Sequence, residues 1–403
     1  MSTSVLYNVW GVRGYAYVRS EFVGGGVVFH LRATKAMRCS ACQSRQVIRR
    51  GTVERRFKTL PIGSKPVTLV VPVQRVGCQV CGAVRQVEVT LADPERRCTR
   101  AFERYTVELC RVATMLDVAR HLGVSWDTVK DIEKRYLRQR FGKPKLRHVR
   151  AIAIDEFYLG KVGKYITLVL DLESGAIVHV GPGKGAEALR PFWTRVRRTG
   201  ATIEAVAMDM SPAYAMAVAE HLPKAVVIFD HFHVIKLFNE KLSDLRRDLH
   251  REAVDKLHKQ VLKGTRWLLL KRPDHLDDAR NESQRLQEAL RINRPLATAY
   301  YLREDLAQFW NQPDKPAAAS FLQDWINRAM ASDVRMLHQF AKTLALHRSG
   351  LLAYYDFKLT IARLEGVNRK IRTLQSRAYG YRDREFFILK LYALHTSKYA
   401  LVG

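Results

Sequence analysis

Four of the six cysteines fall into two pairs with the same spacing, Cys39-Ser-Ala-Cys42 and Cys78-Gln-Val-Cys81. Thiolates at i and i+3 grip one ion from a tight turn, and two such turns supply the four sulfurs of a closed tetrahedral Zn2+ site. The 35 residues between Cys42 and Cys78 hold a strand-like run, Val67 to Val71, and turn formers at Pro61, Gly63 and Pro66. Two metal knuckles joined by a long hairpin are expected. Six cysteines are too few for a disulfide scaffold in a chain of 403 residues, so structural zinc is the expected use. Cys98 and Cys110 stand outside any pair and read as packed thiols.

Two aspartates each close an apolar run: Asp155 ends Ala151-Ile-Ala-Ile, and Asp209 ends Ala205-Val-Ala-Met. A carboxylate at the end of a buried strand lies where an α/β sheet exposes chemistry. A third carboxylate is wanted on a helix, and Glu365 is the best candidate. Ile361, Leu364, Val367, Ile371 and Leu374 form the apolar stripe of its helix, and Arg363, Arg369, Lys370 and Arg372 add phosphate-binding charge. Glu156, Asp171, Asp230, Asp356 and Glu385 compete for that role.

Residues from Met115 to Ile132 match a helix-turn-helix. Ala119 is small enough for helix crossing, Gly123 sits at the turn and Ser125 caps the second helix. That helix would enter a major groove, with Trp126, Asp127, Thr128, Lys130 and Asp131 near its reading end and Lys134 and Arg135 nearer the phosphates.

These residues need elements to hold them. Short strands and turns are expected over residues 1–38, and helical spacing takes over from about Phe102 to Arg140. The basic stretch Phe141-Gly-Lys-Pro-Lys-Leu-Arg is broken by Gly142 and Pro144 and reads as a linker. Strand-like runs follow at 151–155, 165–171 and 176–180, then a helix over 186–198. Two further runs, 205–209 and 225–230, enclose a helix that begins at Ser211-Pro212. Three strands, helix, strand, helix, strand is the order of a ribonuclease-H-like sheet, whose first and fourth strands are neighbours about 4.8 Å apart. Asp155 and Asp209 would then repel unless cations lie between them. Mg2+ (or Mn2+) prefers such oxygen ligands, and a pair of ions about 3.5–4 Å apart could activate a nucleophile and stabilise a leaving oxygen in phosphoryl transfer. Residues 234–345 show no strand pattern and carry Pro273, Pro295 and Pro313, so they read as a helical insertion. Two closing helices, Leu359 to Arg377 and Arg384 to His395, flank the turn Tyr379 to Asp383.

The expected fold is therefore α/β multidomain, with a zinc-binding β module over 1–100 and a helix-turn-helix over 101–148. The ribonuclease-H-like core spans 149–233 and 351–403 and is interrupted by an α-helical insertion over 234–350.

Charge points the same way. The chain carries 68 Lys and Arg against 39 Asp and Glu, a net +29. Residues 1–150 hold 29 of those cations and 11 of the acids, an excess of 18. A polyanionic partner, nucleic acid, is expected, and the first third should hold most of it. The 47% hydrophobic content excludes a disordered polycation. No apolar run reaches the ~18 residues needed to cross a bilayer, and Met1 to Gly14 lacks a signal-peptide layout, so a soluble, cytosolic protein is expected.

Taken together, the paired knuckles, the helix-turn-helix, Asp155-Glu-Phe, Met208 to Tyr214, Phe229 to Val234 and Leu364-Glu-Gly-Val-Asn368 through Tyr381 occur in the order of the ISL-three family of bacterial insertion-sequence transposases, which the chain resembles over nearly its whole length. The resemblance implies that Asp155, Asp209 and Glu365 are the acidic triad of a DDE transposase. It also implies a role for Asp230 and His233, since an Asp, two residues, then His occurs there in such families. His233 could contact a scissile phosphate or leaving oxygen, or simply pack beside a capping Asp. Ile361 departs from the polar residue expected four before the glutamate. On this reading the N-terminal modules bind the terminal inverted repeats, and the catalytic domain cleaves and rejoins strands of double-stranded DNA at both ends and the target. Two ends imply a homodimer or larger assembly. The rival readings are a non-catalytic DNA-binding regulator and a nuclease without strand transfer.

Overall fold

A computed structural model of the chain describes residues 5–160, 165–271, 273–357, 362–378 and 380–396. They fall into two compact units: residues up to 143 together with those from 372 onward, and residues 144–371.

The first unit opens with helix α1 (Val5–Trp10) and strands β1 (Tyr15–Val23), β2 (Gly26–Ala33), β3 (Val47–Ile62), β4 (Lys65–Cys78) and β5 (Val84–Gln86). The sheet runs β1-β2-β4-β3, with β5 added to β4; β2 and β4 are parallel and the other pairs antiparallel. Val67, Leu69, Val71 and Val73 alternate along β4 and bury one face against Leu6, Trp10, Leu31 and Phe57. The β3–β4 pair is the long hairpin expected between the knuckles, and its register sets Val47 opposite Cys78.

Helices α2 (Arg100–Leu109), α3 (Met115–Leu122) and α4 (Trp126–Phe141) follow. Phe102, Val107, Val118, Leu122, Val129 and Ile132 make their shared core. Ala119 is buried within it, as close helix crossing requires, and Gly123 ends α3 in the left-handed region at φ 60°.

The second unit contains β6 (Ala151–Tyr158), β7 (Tyr165–Asp171), β8 (Ile177–Pro182), α5 (Arg190–Thr199), β9 (Ala205–Met208), α6 (Pro212–His221) and β10 (Val226–Phe229). Sheet order is β10-β9-β6-β7-β8. β7 is antiparallel to β6 and β8, while β6, β9 and β10 are mutually parallel. The first and fourth strands of this sheet are thus neighbours, as their order in the sequence predicts. The helix expected over 186–198 starts later, after a 3-10 turn at Ala186–Leu189.

Helices α7 (His231–Glu252), α8 (Lys256–Gly264), α9 (Glu282–Ile292), α10 (Arg294–Ala307), α11 (Lys315–Met330), α12 (Arg335–Leu346), α13 (Arg348–Leu352) and α14 (Tyr354–Phe357) come next. No strand interrupts them among the described residues. Pro295 lies in the first turn of α10, where a missing N–H costs nothing. Phe238 and Phe340 meet at 4.8 Å in their core, and the buried Trp325 donates its ring N–H to the Leu302 carbonyl at 2.8 Å.

Two helices close the chain, α15 (Ala362–Arg377) and α16 (Arg384–Ala393). Ile361 and Tyr379, which the sequence singles out, lie outside the described residues. In the first unit α16 packs Phe386, Leu389 and Ala393 on Leu137 of α4.

Candidate active site and nucleic-acid modules

The two knuckles share one local geometry. The N–H of Gln43 donates to the Cys39 carbonyl at 2.9 Å, and that of Gly82 to Cys78 at 3.1 Å. Both residues stand four after the first cysteine and turn into the left-handed region, Gln43 at φ 63° and Gly82 at φ 68°. The turns bring all four sulfurs within 4.8 Å of one another, with Cys39 to Cys81 at 3.7 Å and Cys42 to Cys78 at 3.5 Å. Sulfurs about 2.3 Å from a tetrahedral zinc would stand at similar separations.

The electrostatics fit a cation as well. Backbone N–H groups of Cys81 and Val80 bring the Cys78 thiol down to about 6. The Ser44 N–H would lower Cys42 too, but its thiol neighbours, Cys78 foremost, and burial push it up to about 12. Four thiols so placed cannot all ionise unaided, and a divalent ion removes that conflict. Burial instead raises Cys98 to about 11 and Cys110 to about 12, which keeps both protonated at neutral pH.

In the helix-turn-helix, Thr114 caps α3 by accepting from the Asp117 N–H at 3.2 Å, and Ser125 caps α4 from Thr128 at the same distance. The Ser125 and Thr128 hydroxyls are paired at 2.9 Å. Trp126 and Asp127 are exposed at the start of α4, and Lys130 lies over the Trp126 ring at 5.4 Å. Lys130 and Lys134 both reach Asp383, at 3.0 and 2.9 Å, and Lys134 and Arg138 reach Glu385. Arg135 is paired with Glu103 at 2.6 Å and with Asp131 at 3.1 Å. Lys130, Lys134, Arg135 and Arg138 of α4 are therefore held by carboxylates of α2, of α4 itself and of the start of α16.

At the sheet of the second unit, register places the acids. β6 pairs with β9 at a constant offset, Ala151 with Ala205 and Ala153 with Ala207. Asp155 lies two residues past the last of these pairs and Asp209 directly follows β9, and the charges of both act on His233. β10 pairs Phe229 with Met208, and the next step sets Asp230 beside Asp209. Aspartates thus follow directly on β9 and β10, whereas Asp155, expected to close its strand, lies inside β6, whose pairing with β7 continues to Tyr158.

Each carboxylate is oriented. Asp155 accepts from its neighbour's N–H, that of Glu156, at 2.8 Å and from Asn368 Nδ2 at 2.7 Å. Asp209 accepts from the Ser211 N–H at 3.1 Å. Buried Asp230 caps α7 from the Phe232 N–H at 2.9 Å and holds His233 Nδ1 at 2.9 Å. Burial raises the Asp155 carboxyl above the usual range, against the Asn368 hydrogen bond and the His233 charge. Burial would lower His233, but Asp230, Asp155 and Asp209 together hold it above its ordinary value. Glu156, one residue on, accepts from the Tyr214 hydroxyl at 2.7 Å.

Glu365 is exposed in the first turn of α15. Asn368 stands three residues on, so the two share one helix face, with Cβ atoms about 5–6 Å apart. Arg369 and Lys370 are exposed on the same helix. Asn368 and Tyr214 are the site residues that sequence patterning left without a role, although both lie within the motifs that carry the family resemblance.

A family model described as a transposase matches residues 152–391. The helix-turn-helix domain of transposase family ISL3 matches 87–137, and the zinc-finger of transposase IS204/IS1001/IS1096/IS1165 matches 35–81. Zinc ribbon, DNA-binding helix-turn-helix and catalytic region define a DNA transposase of the DDE class. The chain belongs to the ISL3, or ISL-three, family. It is 32% identical over 400 residues to the transposase for insertion sequence element IS1001 of Bordetella parapertussis, covering 98% of each chain. It is 26% identical to the transposase for insertion sequence element IS1557 of Mycobacterium tuberculosis (strain CDC 1551 / Oshkosh), covering 91% of this chain and 87% of that one. No helix among the described residues is long and apolar enough to cross a membrane.

Proposed function

We propose that Asp155, Asp209 and Glu365 form the catalytic centre of this transposase and hold Mg2+ or Mn2+. The observation that carries the reading is the convergence of Asp155, Asp209 and Asp230 on His233, beside the Asn368 hydrogen bond to Asp155 from the helix of Glu365. A hard, all-oxygen donor set fits such ions, and the crowded carboxylates fit a cation better than they fit one another. When bound, the metal polarises the phosphate and lowers the pKa of an attacking water or 3′-hydroxyl.

The residues of the chain do the rest. Asn368 fixes one oxygen of Asp155 and the Glu156 N–H the other, so the carboxylate cannot rotate freely. Asp230 binds Nδ1 of His233, leaving Nε2 as the atom that can give or take a proton at the scissile phosphate or leaving oxygen. Arg369 and Lys370 supply positive charge toward the strand being cut.

The second unit is read as a ribonuclease-H-like core whose third acid follows the helical insertion. The zinc module and helix-turn-helix are read as binding the terminal inverted repeats, with Ser125, Trp126, Asp127, Thr128, Lys130, Lys134 and Arg135 on the DNA side. Two element ends need two active sites, so a homodimer or larger assembly acts on DNA. Incubating the protein with its element's ends and Mg2+, then resolving cleaved and strand-transferred products, tests the reading. Cleavage without joining would favour a nuclease.

A further inference from the structure

Away from the aspartates, α7 and α8 meet at a polar cavity of about 710 Å³, lined by Arg246, Arg247, Arg251, His250 and Lys263 with Asp244 and Asp248. Arg266 and Trp267 follow directly after α8, with the Arg266 guanidinium over the Trp267 ring at 4.7 Å. Five cations, counting Arg266, face two carboxylates here, an excess of three. Arg247 and Arg251 pair with Asp244 and Asp248 one turn back along the same helix. Arg246 donates to the Leu262 carbonyl at 2.9 Å, while its buried Nε has no partner. Burial, and then the charges of Arg266 and Arg247, hold the Arg246 guanidinium below its ordinary pKa, so these cations repel one another in the free protein. Trp267 is 66% exposed, an unusual place for the largest apolar side chain.

We propose that this face binds a DNA strand, with phosphates against Arg246, Arg247, Arg251 and Lys263 and an unpaired base stacked on Trp267. A polyanion relieves the repulsion among these cations. An exposed indole braced by a guanidinium is a stacking platform that every base can use, and phosphates along a basic groove bring the strand to it. The proposal rests on the transposase reading only in its choice of DNA: it assigns a DNA-binding surface in the helical region, outside both the aspartate site and the helix-turn-helix.

The test uses the full chain and two probes, a blunt duplex and the same duplex with a short unpaired tail. Trp267→Ala should weaken binding of the tailed probe about tenfold, within the range found for removal of base stacking, and leave the blunt probe unchanged. Lys263→Glu with Arg266→Glu should weaken both probes and make the slope of log affinity on log salt shallower, by about one for each phosphate no longer neutralised. All three side chains are exposed, so folding is retained, which circular dichroism checks. Unchanged affinity of Trp267→Ala for the tailed probe overturns the proposal. Catalytic-site variants such as Asp155→Asn leave this readout untouched, so a failure here is distinct from a failure of the catalytic assignment.

Discussion

Asn368 donates Nδ2–H to Asp155 Oδ2 at 2.7 Å across 213 residues of chain, which ties helix α15 to strand β6. The Asn368 Oδ1 is buried without a partner, so the amide is held for what its nitrogen does. Partners that orient a metal ligand commonly matter about 10–100-fold in metal affinity or activity. Asn368→Ala should therefore raise the Mg2+ concentration needed for half-maximal cleavage by about that factor, with thermal stability nearly unchanged. A metal titration of cleavage reads this directly, and equal titration curves would remove Asn368 from the site.

Zinc should be present at one ion per chain. Serine at any of Cys39, Cys42, Cys78 or Cys81 should abolish it, while Cys98→Ser and Cys110→Ser should leave the content unchanged. Elemental analysis of protein purified without chelator decides. Because binding of structural zinc is worth about 10–16 kcal/mol in finger peptides, chelation should unfold the knuckle turns and weaken DNA binding.

The clamp between α4 and α16 carries a pH dependence. The Lys134 hydrogen bond, the Phe386 N–H and Lys130 hold the Asp383 carboxyl well below its usual range, and Lys134 with Arg138 does the same for Glu385. Folded values below unfolded ones give stability that is complete above about pH 5 and fades as pH falls through the folded values. Thermal melts of the protein should thus lose stability on acidification below about pH 5, and Asp383→Asn should flatten that loss. Asp383→Ala also removes the N-cap of α16, at a cost of about 1 kcal/mol.

Gly350 lets α13 lie against β10. A Cβ built there would stand 2.5 Å from the Phe229 ring, one residue before Asp230. Gly350→Ala should cost about 1–3 kcal/mol through overpacking and lower cleavage by displacing the end of β10. A melting temperature equal to that of the parent would show that Phe229 can move aside freely.

His233→Ala should reduce cleavage far more than stability, since the ring is partly exposed and buried Asp230 keeps the Phe232 N–H when the ring is removed. Equal losses of activity and melting temperature would return His233 to a packing role.

What the sequence made legible was local. Cysteines at i and i+3 announce a knuckle, Gly123 and Ser125 announce a helix-turn-helix, and an apolar run ending in Asp155 or Asp209 announces a strand. The approach of Asp230 and His233 to Asp155 and Asp209 could not be read from the strands alone, because which strand pairs beside β9 depends on contacts between strands and not on either strand alone. Nor could the hold of Asp383 on Lys134, 249 residues apart, since Lys134 sits on a helix whose own pattern marks it only as exposed and basic. Glu365 needed the family likeness, because the length of helical chain before it gives no local signal of which acid returns to the sheet.

The most direct measurement is Mg2+-dependent cleavage of the element's own end by Asp155→Asn, Asp209→Asn and Glu365→Gln, made alongside end binding and thermal melts. Crowded carboxylates destabilise one another without metal, so each change should leave folding intact or slightly improved and end binding unaltered, while cleavage falls to background. Full cleavage by Asp155→Asn or Asp209→Asn would contradict the site itself, and full cleavage by Glu365→Gln, with loss on changing another acid, would move the third ligand elsewhere.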